Sequence, residues 1–82
     1  LDEEVRRFDP MLALDGGADG LDFYRALAGR MADSLKPGGY MVLELGIGQA
    51  KAVEAIFAPY GRTVHIKKDL AGIERVISIR KI

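Results

Sequence analysis

The chain has no cysteine, no tryptophan, no asparagine, a single histidine and three prolines among its 82 residues. Without cysteine there are no disulfides, no thiolate metal sites and no cysteine nucleophile, and the composition fits a reducing compartment such as the cytoplasm. One histidine leaves no histidine cluster for a metal, and the sequence marks no Ser–His–Asp set around it. No apolar run approaches the roughly 18 residues that a membrane span needs, and the first residues lack a basic-then-apolar signal pattern. Charge of one sign is also missing. Twelve basic and twelve acidic residues balance, with no block of five, so neither nucleic acid nor an anionic membrane is expected as a partner held by bulk charge. The length allows one small domain, burying roughly 60 to 65 per cent of the unfolded surface.

What is present is organised around Leu35 to Gln49. The Lys36-Pro37-Gly38-Gly39 turn stops a helix, and Tyr40 to Leu45 is apolar but for Glu44 before Gly46 and Gly48 break the run. Apolar residues at both alternating sets, Met41, Leu43, Leu45 and Tyr40, Val42, predict a strand covered on both faces, as in an α/β sheet. Before it, Leu21, Tyr24, Leu27, Ala28, Met31 and Leu35 recur at helical spacing, with Asp19 as a candidate N-cap and Asp22 in the first turn. After it, Gly48 to Ala58 reads as a second helix, with Ala52, Val53, Ile56 and Phe57 inward. Arg62 to Lys67 then alternates as a strand with Val64 and Ile66 inward, and Arg75 to Ile82 alternates again. The short link between these two strands predicts an antiparallel hairpin.

Residues 1–20 read as an irregular arm ending in the turn-rich Asp15 to Gly20 loop. The order is therefore α-β-α-β-β in a single partial domain. The expected architecture is a three-stranded mixed sheet, with the last strand slotted between the other two and Tyr40 to Leu45 on one edge. An uncovered edge of that length invites pairing, so self-association through strand 40–45, or use of the chain as an interaction module, is the alternative functional reading.

Candidate chemistry is sparse. Glu44-Leu45-Gly46-Ile47-Gly48, at a strand end before a helix, has the form of a nucleotide-binding glycine turn, and Asp69 stands about twenty positions after Gly48, where such folds hold a ribose. Lys51 occupies the place of the third glycine, and the plainer reading is that Gly46 and Gly48 turn the chain. Glu44 is the carboxylate most expected to be buried; it either faces a ligand at the strand's carboxyl end or pairs with Arg75 or Arg80. His65 falls in the polar set of its strand and reads as a surface residue.

Several segments match a known family in order and spacing: Glu4-Val5, Asp9-Pro10, Ala13-Leu14-Asp15-Gly16-Gly17, Asp19-Gly20-Leu21-Asp22-Phe23-Tyr24-Arg25, Leu35-Lys36-Pro37-Gly38-Gly39, Leu43-Glu44-Leu45-Gly46, Gln49, Lys68-Asp69-Leu70-Ala71-Gly72 and Arg75-Val76. They resemble the C-terminal part of the release-factor glutamine methyltransferases (HemK-type), which are class I methyltransferases. The resemblance implies a Rossmann-like, seven-stranded catalytic domain that uses S-adenosylmethionine to methylate a glutamine of a peptide-chain release factor. The strands here would be its last three, with the fourth pairing on the open edge. The family's glycine-rich cofactor loop, acidic ribose residue and Asn-Pro-Pro-Tyr motif have no counterpart in this sequence. The resemblance therefore implies an inactive C-terminal fragment, with no catalytic or cofactor-binding residue of its own. By position it makes Asp15, Gly16, Gly17, Asp19 and Glu44 substrate-side candidates.

Overall fold

Tyr24, Leu27, Ala28 and Met31 fall on one stripe of a helix, α1 (Asp22–Ser34), and all four are buried. A computed structural model describes residues 4–8 and 20–82. The expected cap Asp19 lies outside these residues; Leu21 stands at the N-cap without a side-chain bond, and Asp22 pairs with Arg25 one turn on, at 2.7 Å. At the other end the Lys81 ammonium donates to the carbonyls of Ala32, at 3.0 Å, and Leu35, at 2.6 Å. A cation on those unpaired carbonyls stabilises the helix terminus by about 0.3–1 kcal/mol.

The remaining elements are β1 (Val5–Phe8), β2 (Tyr40–Glu44), α2 (Ala50–Phe57), β3 (Gly61–Lys68) and β4 (Glu74–Lys81). The hairpin β3–β4 is antiparallel, and β4 inserts between β2 and β3 as expected. The α/β class and mixed sheet agree with the sequence. The strand count does not: the sheet has four strands in the order β1-β2-β4-β3.

The extra strand comes from the segment read as an irregular arm. Val5 to Phe8 pairs parallel with Tyr40 to Leu43, so β2 has neighbours on both sides, and the expected open edge of strand 40–45 does not exist. The pairing is locked by side chains that propensity does not register. The Glu4 carbonyl accepts the Tyr40 N–H at 2.8 Å, and the Glu4 carboxylate accepts the Lys36 N–H at 2.9 Å and the Arg6 guanidinium at 2.7 Å. Arg6 also reaches the Ser34 hydroxyl, at 3.1 Å. Two charged residues thus tie a four-residue strand to the turn at the end of α1.

Both helices pack on one face of the sheet. Met41 and Leu43 of β2 and Ile77 and Ile79 of β4 meet Tyr24, Met31, Leu35, Val53 and Phe57 in a single core. Each fully buried aliphatic or aromatic side chain there contributes about 1.5–3 kcal/mol relative to exposure. The opposite face carries Tyr40, Val42 and Val76, all only partly buried, so the expectation of cover on both sides is corrected: among the described residues the second face has no helix. Glu44 belongs to that face, opposite Val76, and is exposed rather than buried. In β3 a register shift between Thr63 and His65 breaks the alternation. Val64 is consequently 50% exposed, not inward as the period of two predicted, because the bulge removes it from the ladder.

Candidate functional site at the carboxyl end of β2

In α/β sheets ligands sit beyond the carboxyl ends of the parallel strands, and here that end gathers the first turns of both helices. Leu45 is tied to β4 by its N–H bond to the Arg75 carbonyl, at 2.8 Å. The chain then turns through Gly46 to Gln49, closed by two bonds between the same residues: the Gln49 N–H donates to the Gly46 carbonyl at 3.2 Å, and the Gln49 side-chain Oε1 accepts the Gly46 N–H at 2.9 Å. Gly46 leaves room for this bond, since a Cβ there would lie 2.6 Å from Gln49 Oε1. Beside this turn lies Gly20, whose absent Cβ would sit 3.4 Å from Gln49 Nε2. Gln49 therefore joins the end of β2 to the lead-in of α1.

Tyr24 completes the junction. Its ring is fully buried, edge-on to Phe23 at 5.5 Å between centroids, and its hydroxyl donates to the Glu44 carbonyl at 2.6 Å. That bond fixes α1 against the strand end, so the exposed Glu44 carboxylate projects from a backbone held on the far side by a core residue.

Of the sequence-derived candidates, Glu44 is at this end of the sheet, while Asp15, Gly16, Gly17 and Asp19 lie outside the described residues. The segment that holds them leaves β1 after Phe8 and rejoins the structure at Gly20, so both of its ends are anchored at or near this site. His65 is exposed on β3, the opposite edge strand. Asp69 does not serve as a ribose ligand. Its carboxylate accepts the N–H groups of Ala71 and Ile73, at 2.9 and 3.0 Å, and pairs with Arg75 at 2.9 Å, which holds the β3–β4 turn. Those bonds, the Arg75 guanidinium first, keep its pKa below the ordinary 3.8. Sequence reasoning overlooked the structural parts played by Gln49 and the Tyr24 hydroxyl. The signal for Gln49 was its place three residues after Gly46 at the start of a helix, where a side-chain acceptor reaches back to a free N–H.

The described residues do not fit a methyl donor. The acid at ribose spacing is committed to a turn, and the Gly46 N–H that a cofactor loop would present is taken by Gln49. Among these residues no group of three or more His, Asp or Glu could hold a metal, and no helix is long and apolar enough to cross a membrane. What the junction offers is an exposed carboxylate, Glu44, and a carboxamide, Gln49, oriented by its bond to the Gly46 N–H.

No protein-family model matches the chain. Its sequence is 49% identical over 81 residues to the release factor glutamine methyltransferase of Bradyrhizobium diazoefficiens, covering 96% of the chain and 27% of that protein. It is 50% identical over 78 residues to that of Caulobacter vibrioides, covering 94% and 27%. The crystal structure of the release factor-specific protein-(glutamine-N5) methyltransferase of Alicyclobacillus acidocaldarius superposes with a TM-score of 0.63 at 40% identity, over 77% of this chain and 41% of that one. The chain thus spans about 27% of the length of the relatives it matches. By sequence and by fold, it is a relative of the C-terminal part of the release factor glutamine methyltransferases.

Proposed function

We infer that these residues form the C-terminal wall of the catalytic domain of an S-adenosylmethionine-dependent methyltransferase that acts on a glutamine side-chain amide of a peptide-chain release factor in the cytoplasm. The observation that carries the reading is the near-complete match of this chain to one part of such enzymes, at 42 to 50% identity. The reaction forms a bond between the amide nitrogen and the methyl carbon, breaks the sulfonium–methyl bond and releases an amide proton. That in-line geometry needs a donor site and an amide clamp. The described residues supply neither, so in this reading both come from the rest of the longer enzyme, and these 82 residues alone are inactive. Their contribution is the carboxyl end of β2, where Glu44 and the turn closed by Gln49 border the mouth through which the release factor docks; Asp15, Gly16, Gly17 and Asp19, outside the described residues, are substrate-side candidates by sequence position.

The test compares the 82-residue chain with the longer protein that contains it, each incubated with a release factor and methyl-labelled S-adenosylmethionine. Label should enter a glutamine of the release factor only with the longer protein, and Glu44→Gln there should raise KM for the release factor more than it lowers kcat. Tight binding of S-adenosylmethionine to the 82 residues by calorimetry, or label on a target other than a glutamine amide, would overturn the reading.

A further inference from the structure

The open face of the sheet arranges its side chains in rows, and the row at the amino end of β2 runs Val5, Tyr40, Arg80, Arg62 across all four strands. Arg62 and Arg80 stand directly opposite each other in the β3–β4 ladder. Like charges so placed repel. Arg6, Arg25 and Arg75 each have a carboxylate partner at 2.7 to 2.9 Å, whereas neither Arg62 nor Arg80 has one among the described residues. Arg80 is nonetheless held in place, its guanidinium carbon 5.9 Å from the centre of the Tyr40 ring.

Arg62 and Arg80, both exposed, line one open surface pocket of about 350 Å³, shared with Gly38, Val64, Lys81 and Ile82. That size lies at the small end of the range for ligand pockets, about 300–1,000 Å³. The Lys81 ammonium is turned away to the end of α1, so the two arginines supply the uncommitted charge. Gly38 lies beside the Arg80 guanidinium: a Cβ there would be in ordinary contact, at 3.6 Å from Nη2. Val64, displaced from the ladder by the bulge, adds an apolar wall.

Two arginines lining one pocket match an anion with two or more acceptor oxygens, and the aliphatic lining favours a group carried on carbon. The geometry points to an oxyanion site in which Arg62 and Arg80 together hold a carboxylate or phosphate group. It lies at the opposite end of β2 from Glu44 and Gln49, and so does not depend on the methyltransferase reading.

The arginine Nε–Hε resonances report the site directly. Inorganic phosphate and, separately, acetate are titrated into the 82-residue chain at constant ionic strength held with sodium chloride. Saturable shifts confined to Arg62 and Arg80 are expected, about tenfold weaker binding in Arg62→Gln and in Arg80→Gln, and no change in Arg30→Gln, which removes one positive charge from exposed α1. Saturation by phosphate alone assigns a phosphate site, and saturation by acetate a carboxylate site. The proposal is overturned if shifts do not saturate with either anion, or if Arg30→Gln weakens them as much as Arg80→Gln. Amide spectra of each variant that retain the dispersion of the parent show that the fold is intact.

Discussion

Replacing Gly46 by alanine should change sign according to what stands at position 49. In the native background a Cβ at 46 would fall 2.6 Å from Gln49 Oε1 and 2.9 Å from its Cδ. Both are at the end of a flexible side chain, so the carboxamide swings aside and the 2.9 Å bond from the Gly46 N–H is lost. A bond of this kind is worth about 0.5–1.5 kcal/mol net, and more where the donor left behind is shielded from water. Gly46 has no positive φ, so alanine is not strained there, and it restricts the unfolded chain by about 0.4–1 kcal/mol in favour of folding. Gly46→Ala alone should therefore be near neutral to about 1 kcal/mol destabilising. In a Gln49→Ala background the obstruction and the bond are both gone, and the same substitution should stabilise by about 0.4–1 kcal/mol. Urea titrations followed by circular dichroism, on the parent, both single variants and the double variant, give the coupling, expected at about 1 kcal/mol. In a domain of this size that is about 4–8 °C in Tm. An equal effect of Gly46→Ala in both backgrounds would refute the proposition that Gln49 closes the turn.

Gly61→Ala tests the packing of β3 against α1. A Cβ there would lie 2.8 Å from the Arg80 carbonyl oxygen and 3.0 Å from Met31 Sδ. Backbone cannot move aside as a side chain can, so a loss of about 1–3 kcal/mol is expected by urea titration, and a neutral result would contradict the packing described. Glu4 and Asp69 predict the acid limb. Glu4 is held below its ordinary 4.5 by the Lys36 N–H first and Arg6 second, and Asp69 below 3.8 by Arg75 and the Ile73 N–H. A depressed carboxyl contributes stability that is fully present above its unfolded value and lost as pH falls through the lower folded one. Carboxyl ¹³C titrations should thus give midpoints below 4.5 and 3.8, and the destabilisation by Glu4→Gln should fade as pH drops past them. A midpoint at or above the ordinary value for Glu4 would mean that β1 is not tied to the turn.

The helices, the hairpin and the insertion of β4 were legible because each is written in a local period: the stripe from Leu21 to Leu35, and the alternation of Val76, Ser78 and Arg80 with Ile77, Ile79 and Lys81. Three features were not. β1 has the unpromising sequence Val-Arg-Arg-Phe, and it becomes a strand through long-range bonds of Glu4 and Arg6 that no window around it contains. The bulge at Val64 shifts register by one, which turns a correct alternation into a wrong assignment of faces for half the strand. Cover on only one side of the sheet was hidden because Tyr40 and Val42 are apolar enough to suggest a second layer that the described residues do not supply. At the site, Glu44 was visible as an interruption of an apolar run, but its exposure follows from that uncovered face. The structural part played by Gln49 emerges only when Gly46 and Gly20 are seen on either side of its amide.

The position of β4 bears on how the protein is made. Of the four described strands, the one latest in sequence lies inside the sheet, flanked by two strands synthesised before it. On the ribosome, β2 must therefore wait with bare peptide groups along the flank that β4 will fill, while β3 has nothing to lie against. Closure is a single late insertion that joins two unfinished halves, and it is during this interval that the nascent chain is most exposed to pairing with the wrong strand.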